Sequence, residues 1–273
     1  VSEQPPERPG HLLNVRGLRD PRLVPWTIQQ TLRGVLFTLV PWIGLTLLLL
    51  GTAGNQSLSK PLAFSTDLTA ALLQVVFTAV IEGAFLIAPL YYASKTLTRQ
   101  ATRPDGRAVR EVLGLRSFSL TRTLPWIVGL IVLIIAVNLL YATVITALHL
   151  PLTTNDQVVL QEGAYAPISV YAILAGSVFI APLCEEIFFR GFLLPGLLHD
   201  LSPTWALLVS SLLFAIAHAD PGSFVPLFVI GLCLGFLRLR TGSTWASLSL
   251  HMLNNLLSSV FIVMAMHHLI LPL

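Results

Sequence analysis

The sequence predicts an all-α, polytopic membrane helix bundle, and three observations carry that prediction. Of 273 residues, 55% are hydrophobic and only 11% are charged, whereas a soluble chain carries about 25% charged residues. The mean hydropathy is +0.79. The apolar residues fall in continuous runs of about 20, the length at which a helix crosses a bilayer, not in the short alternating segments of a barrel. A helix satisfies its own backbone hydrogen bonds, which lipid cannot do for it.

Residues 1–30 are polar, Pro-rich and basic. They lack the apolar centre of a secretory signal and read as a cytoplasmic arm. Runs near 33–52, 68–93, 124–148, 164–183, 203–219, 224–239 and 244–266 give about seven spans, or eight with one further reversal. The chain divides into N-terminal helices at 31–150, which include a basic loop at 95–123, and a second bundle at 160–270. Within the loop, Arg110–Leu115 reads either as a short interfacial helix with basic flanks or as a solvated connector.

Charge sets the orientation, because cytoplasmic loops retain Lys and Arg. Arg8, Arg16, Arg19, Arg22 and Arg33 precede the first span, and Lys95, Arg99, Arg103, Arg107, Arg110, Arg116 and Arg122 follow the second. Lys60 stands alone between them, the loop at 149–163 has Asp156 and Glu162 with no base, and Arg238 and Arg240 return to the basic side. The expected topology is N-terminus in the cytoplasm and C-terminus outside, in the plasma membrane. The net charge of +3 is spread over these loops, so the positive-inside rule accounts for it and it gives no reason to expect a nucleic-acid partner. Cys184 and Cys233 lie in apolar segments and read as small core residues.

Polar groups within the spans concentrate in the second half. Glu185-Glu186-Ile187-Phe188-Phe189-Arg190 is followed by Phe214 with His218, and then by His251 with Asn254 and Asn255. Charges at the bilayer centre cost roughly 2.5–3.5 kcal/mol each on insertion scales, so such residues are usually functional. Glu186 and Arg190, four apart, lie within about 40° of one helix face, while the two glutamates diverge by about 100°. Glu186 can therefore neutralise Arg190, leaving Glu185 as a free carboxylate suited to take a proton from water. His251 and Asn255 share a face in the same way and can reach one point in a cavity, whereas Asn254 is expected to hydrogen-bond between helices. Glu82, the exception in the first half, is expected to be structural. A carboxylate, two histidines and an asparagine on three helices could bind zinc or activate water.

The three motifs, Glu185-Glu186-x-x-x-Arg190, Phe214-x-x-x-His218 and His251-x-x-x-Asn255, resemble in order those of the CPBP family of intramembrane proteases. That family includes the type II CAAX prenyl endopeptidases and bacteriocin-processing or immunity relatives. The resemblance covers roughly 120–270 and implies an endopeptidase acting on a membrane-associated protein or peptide, prenylated or not. It implies Glu185 as the general base, Glu186 and Arg190 as its supports, His218 as the group that positions water or a metal, and His251 with Asn255 as the oxyanion site. Glu185, His218 and His251 would also suffice for a catalytic zinc, although the His-Glu-x-x-His helix of soluble zinc proteases is missing. The competing reading is a noncatalytic transporter, immunity protein or scaffold that uses the same buried cluster.

One geometric difficulty follows. In a simple crossing over 164–198, Glu185 and His218 approach opposite faces. Either the helix bends near Pro182, which removes one backbone donor, or an eighth span intervenes.

Overall fold

A computed structural model describes residues 26–55, 68–99, 106–154, 156–157, 159–160 and 167–269. The expected cytoplasmic arm, Lys60 and Glu162 lie largely or wholly outside these residues. The described chain is helical, with no strand among the described residues.

The N-terminal half contributes α1 (Ile28–Asn55), α2 (Leu68–Gly83), a 3-10 turn (Ala84–Leu86), α3 (Ile87–Arg99), the short α4 (Gly106–Val112) and α5 (Leu120–Ala147). A short helix does occur in the basic loop, but as α4 at Gly106–Val112, so only Arg110–Val112 of the expected Arg110–Leu115 stretch is helical. The second half opens with a long composite helix, α6. It comprises Pro167–Ala175, a π segment at Gly176–Ile180, an α stretch at Ala181–Glu186, a second π segment at Ile187–Leu193, and Leu194–Leu197. Next come α7 (Pro203–Ala217), α8 (Phe224–Thr241) and α9 (Thr244–Met266).

Seven helical units lie at the seven expected apolar runs, and no eighth occurs among the described residues. Five are long and apolar enough to cross a membrane by length and composition: Gln74–Lys95, Leu120–Ala147, Ile168–Leu197, Pro221–Thr241 and Thr244–Met266. The span of α5 has the highest hydropathy, 2.7, and only 17% of it is buried. Its Val128, Val132 and Leu140 are exposed, as expected of a face turned to lipid.

Local signals delimit the helices around the site. Ser202 caps α7, accepting from the Trp205 N–H, and Pro203 follows at the first turn. Gly242 ends α8 at φ 71° and returns its N–H to the Arg238 carbonyl at 2.9 Å. The next residues bind the basic loop: the Thr244 N–H donates to the Gly114 carbonyl at 2.8 Å, and the Thr244 hydroxyl donates to the Leu113 carbonyl at 2.8 Å. Arg238, read as a charge of the basic side, is buried, 1% exposed, and donates from Nε to the Arg190 carbonyl at 3.1 Å. It belongs to α8 and not to a loop, so its stem and head are both enclosed.

Helices α7 and α8 approach closely because α8 carries Gly231 and Gly235. A Cβ on Gly231 would stand 3.0 Å from the Ser211 Cα, and one on Gly235 would strike the Leu207 side chain. This is the small-xxx-small spacing of packed membrane helices. The core beside it is aromatic: Phe188, Phe189, Phe192 and Phe214 are fully buried, and Phe85 meets Phe188 and Phe189 at centroid distances of 5.3 and 6.0 Å. Cys184 and Cys233 are buried free thiols, as expected.

Candidate active site

The difficulty over depth disappears in the lengths of two helices. Glu185 stands roughly 18 Å along α6 from its Leu197 end, and His218 closes the short α7 roughly 22 Å from Pro203. α7 is therefore shorter than the roughly 30 Å thickness of a bilayer core, and the structure brings the two side chains together, with His218 Nε2 3.9 Å from Glu185 Oε1. The irregularity near Pro182 takes the form of π segments on both sides of the Ala181–Glu186 stretch. Such segments occur often at functional sites, where they re-aim side chains.

Glu186 and Arg190 form the pair that helical spacing predicts. Arg190 Nη1 donates to Glu186 Oε1 at 2.8 Å, with both side chains 0% exposed. Arg190 Nη2 donates to the Gly231 carbonyl at 3.1 Å, and its guanidinium lies 4.5 Å from the Phe214 ring centroid. The arginine thus ties α6 to α7 and α8. Burying two charges costs several kcal/mol per ion unless further hydrogen bonds compensate. Here one more comes from His251, whose Nδ1 lies 3.1 Å from Glu186 Oε1.

That bond fixes the tautomer of His251. Glu186 in its ion pair accepts, so Nδ1 carries the proton and Nε2 is turned to Glu185 Oε2 at 3.9 Å. His218 is fixed in the same way by its own helix: its Nδ1 donates to the Phe214 carbonyl at 2.8 Å, which leaves the Nε2 lone pair toward Glu185 Oε1, also at 3.9 Å. Glu185 therefore stands between two imidazoles, beyond direct hydrogen-bond range of either. At such separations a water is the natural bridge. Phe214 packs on both rings, at centroid distances of 4.6 Å to His218 and 5.7 Å to His251, and holds them in place.

Asn255 has a different neighbour. Its amide donates to the Ser177 carbonyl at 2.8 Å, and Asn254 in turn donates to Asn255 Oδ1 at 3.1 Å. The helix-to-helix bond expected of Asn254 is thus made by Asn255. The cause lies in the π pattern: the Ala181 N–H bonds to the Gly176 carbonyl, so the next carbonyl, Ser177, would pair with residue 182, a proline without an N–H.

Glu185, His218 and Glu82 line one cleft of about 130 Å³, together with Trp42, Phe85, Phe189 and Ala217. Trp42 also anchors α1, donating from its indole to the Ala217 carbonyl at 3.0 Å. Trp42 and Phe85 carry no distinguishing spacing in the apolar runs of the first half, and Glu82, which stands out there as an ionisable residue, has no local signal that places it beside Glu185. Arg238 could have been found, as a charge inside an apolar span.

The donor chemistry of Glu185, His218 and His251 would suit zinc. As placed, however, no group of three His, Cys, Asp or Glu side chains among the described residues is arranged to hold a metal ion.

Fold and cluster together define an all-helical membrane protein with a buried carboxylate–histidine site. Residues 166–257 match the family model described as Type II CAAX prenyl endopeptidase Rce1-like. The resemblance read from the three motifs is borne out over that segment, which holds Glu185, Glu186, Arg190, His218, His251 and Asn255. Among curated proteins, an uncharacterized protein of Mycoplasma capricolum is 34% identical over 146 residues, covering 48% of this chain and 41% of that one. YdiL of Bacillus subtilis, named as a candidate membrane peptidase, is 29% identical over 101 residues, covering 37% of this chain and 40% of its own length. The chain thus spans about two-fifths of each relative. No solved structure matches it significantly.

Proposed function

We propose that this chain is an intramembrane endopeptidase that hydrolyses a peptide bond of a membrane-associated protein or peptide, with water activated by Glu185 and His218. One observation carries the reading: each carboxylate oxygen of Glu185 faces the Nε2 of a different tautomer-fixed histidine at 3.9 Å, beside a cleft. The match to the Type II CAAX prenyl endopeptidase Rce1-like model supports the choice of a peptide bond, and a prenylated or plain C-terminal segment is the substrate class it suggests.

In this mechanism a water donates one O–H to Glu185 and the other toward His218 Nε2, and its oxygen attacks the scissile carbonyl. Glu185 takes the proton, the carbonyl oxygen becomes an oxyanion, and the C–N bond then breaks as that proton passes to the leaving amine. His251, held at Nδ1 by Glu186, presents an Nε2–H to the oxyanion when charged, and Asn255 can add its second amide N–H. Arg190 keeps Glu186 ionised and so keeps His251 in register. The basic loop and the Arg116–Arg238 end of the bundle lie in the cytoplasm in this reading, with the N-terminus on the same side.

The test is a mass-spectrometric comparison of membrane peptides from cells carrying wild type or Glu185→Gln. Products present with the wild type and missing with the folded variant are expected, and they also identify the cut site. Equal products with both would overturn the assignment of Glu185.

A further inference from the structure

Glu82 comes from the half of the chain that the three motifs do not reach, and its expected part was structural. It is 8% exposed, and its Oε2 is buried without a hydrogen-bond partner. An unsatisfied buried polar atom is costly, and in a native fold it calls for an explanation. Glu82 shares its cleft with Glu185 and His218.

Its placement is built, not incidental. Glu82 is the last residue but one of α2, just before the chain tightens into the 3-10 turn Ala84–Leu86. Phe85 in that turn packs edge-on against Trp42 and Phe188, at 5.2 and 5.3 Å between centroids. Those contacts lock the turn against the second π segment and hold Glu82 to the cleft wall. The cleft, at about 130 Å³, has room for several waters.

We propose that Glu82 is a further catalytic residue, whose carboxyl group hydrogen-bonds the same water that Glu185 and His218 hold. This rests on the reading of Glu185 as the base. Water has four hydrogen-bonding positions: Glu185 and His218 Nε2 accept its two hydrogens, and one oxygen lone pair attacks. The fourth position requires a donor, which a protonated carboxyl supplies. Glu82 thereby fixes the direction in which the attacking lone pair points. Glutamine retains such a donor and leucine does not.

The experiment uses the full chain in lipid nanodiscs and a peptide spanning the cut site identified with wild type against Glu185→Gln. Glu82→Leu is expected to fold, to keep KM within about twofold and to lose about tenfold or more in kcat, the scale of one lost donor. Glu82→Gln is expected to recover most of that loss. A folded Glu82→Leu with wild-type kcat, or Leu and Gln variants equally impaired, would overturn the proposal while leaving Glu185 as the base. Cleavage by Glu185→Gln, or no cleavage by the wild type, would remove the underlying reading and this one with it.

Discussion

Asn255 on α9 donates its side-chain amide to the carbonyl of Ser177 on α6 at 2.8 Å, and that oxygen is the one Pro182 deprives of a helical partner. The two helices are thus joined at a defect that the sequence of α6 creates. Removing the donor leaves a part-buried carbonyl without this partner. Asn255→Ala should cost about 0.6 kcal/mol, the average for interhelical hydrogen bonds in membranes, and at most about 1.7 kcal/mol. Pro182→Ala restores an N–H, so the double variant should lose less than the sum of the singles. Thermal unfolding in detergent, arranged as a double-mutant cycle, reads this directly, and strict additivity would show that proline and asparagine are unrelated.

Arg190 joins three helices through Glu186, the Gly231 carbonyl and the Phe214 ring. Arg190→Met strands a carboxylate in a fully buried site, and breaking a buried pair in this way costs about 3–5 kcal/mol. Loss of the folded form on heating should exceed that of any single surface substitution on the exposed face of α5. A melting temperature near that of the wild type would mean that Glu186 finds its compensation elsewhere.

How much of this was legible in the sequence depends on whether an interaction runs along one helix or between two. Glu186 with Arg190 could be read because an i, i+4 pair needs only helical geometry. The approximate set Glu185, His218 and His251 could be read because ionisable groups are rare in apolar spans. The partner of Asn255 could not, since it depends on a π segment whose register no periodicity announces. The meeting of Glu185 and His218 at 3.9 Å is hidden in the sequence because an apolar run does not show how short α7 is. Its 15 residues span only about 22 Å. Trp42, Phe85 and Glu82 close the cleft from the first half through long-range packing, which a local pattern cannot reveal.

Gly231 and Gly235 offer a contrast within one helix face. A Cβ at Gly231 meets the Ser211 Cα and Cβ, both at 3.0 Å, whereas at Gly235 it meets the flexible end of Leu207. Backbone must move in the first case and one rotamer in the second. Gly231→Ala should therefore be the more damaging, by about 1–3 kcal/mol as in overpacked cores, and Gly235→Ala should be the milder. Gly231→Ala should also lower activity, because the Gly231 carbonyl accepts from Arg190. Equal effects on melting temperature would contradict the close approach of α7 and α8.

His218 allows the roles of its two nitrogens to be separated. Nδ1 is committed to the Phe214 carbonyl at 2.8 Å and only Nε2 faces Glu185, so the structural and chemical functions sit on different atoms. Asparagine places its amide near the position of Nδ1 and can keep the carbonyl bond. Glutamine reaches the position of Nε2 and can offer an oxygen to the water. If Nε2 helps to hold the attacking water, His218→Asn should fold normally and lose about 10²–10⁴-fold in kcat, the usual range for an acid–base group. His218→Gln should retain more activity while melting earlier, because the Phe214 carbonyl loses its donor. Steady-state kinetics and melting curves on the two variants test the assignment together. The reverse order, with asparagine the more active, would place the contribution of His218 in its helix contact and not in the cleft.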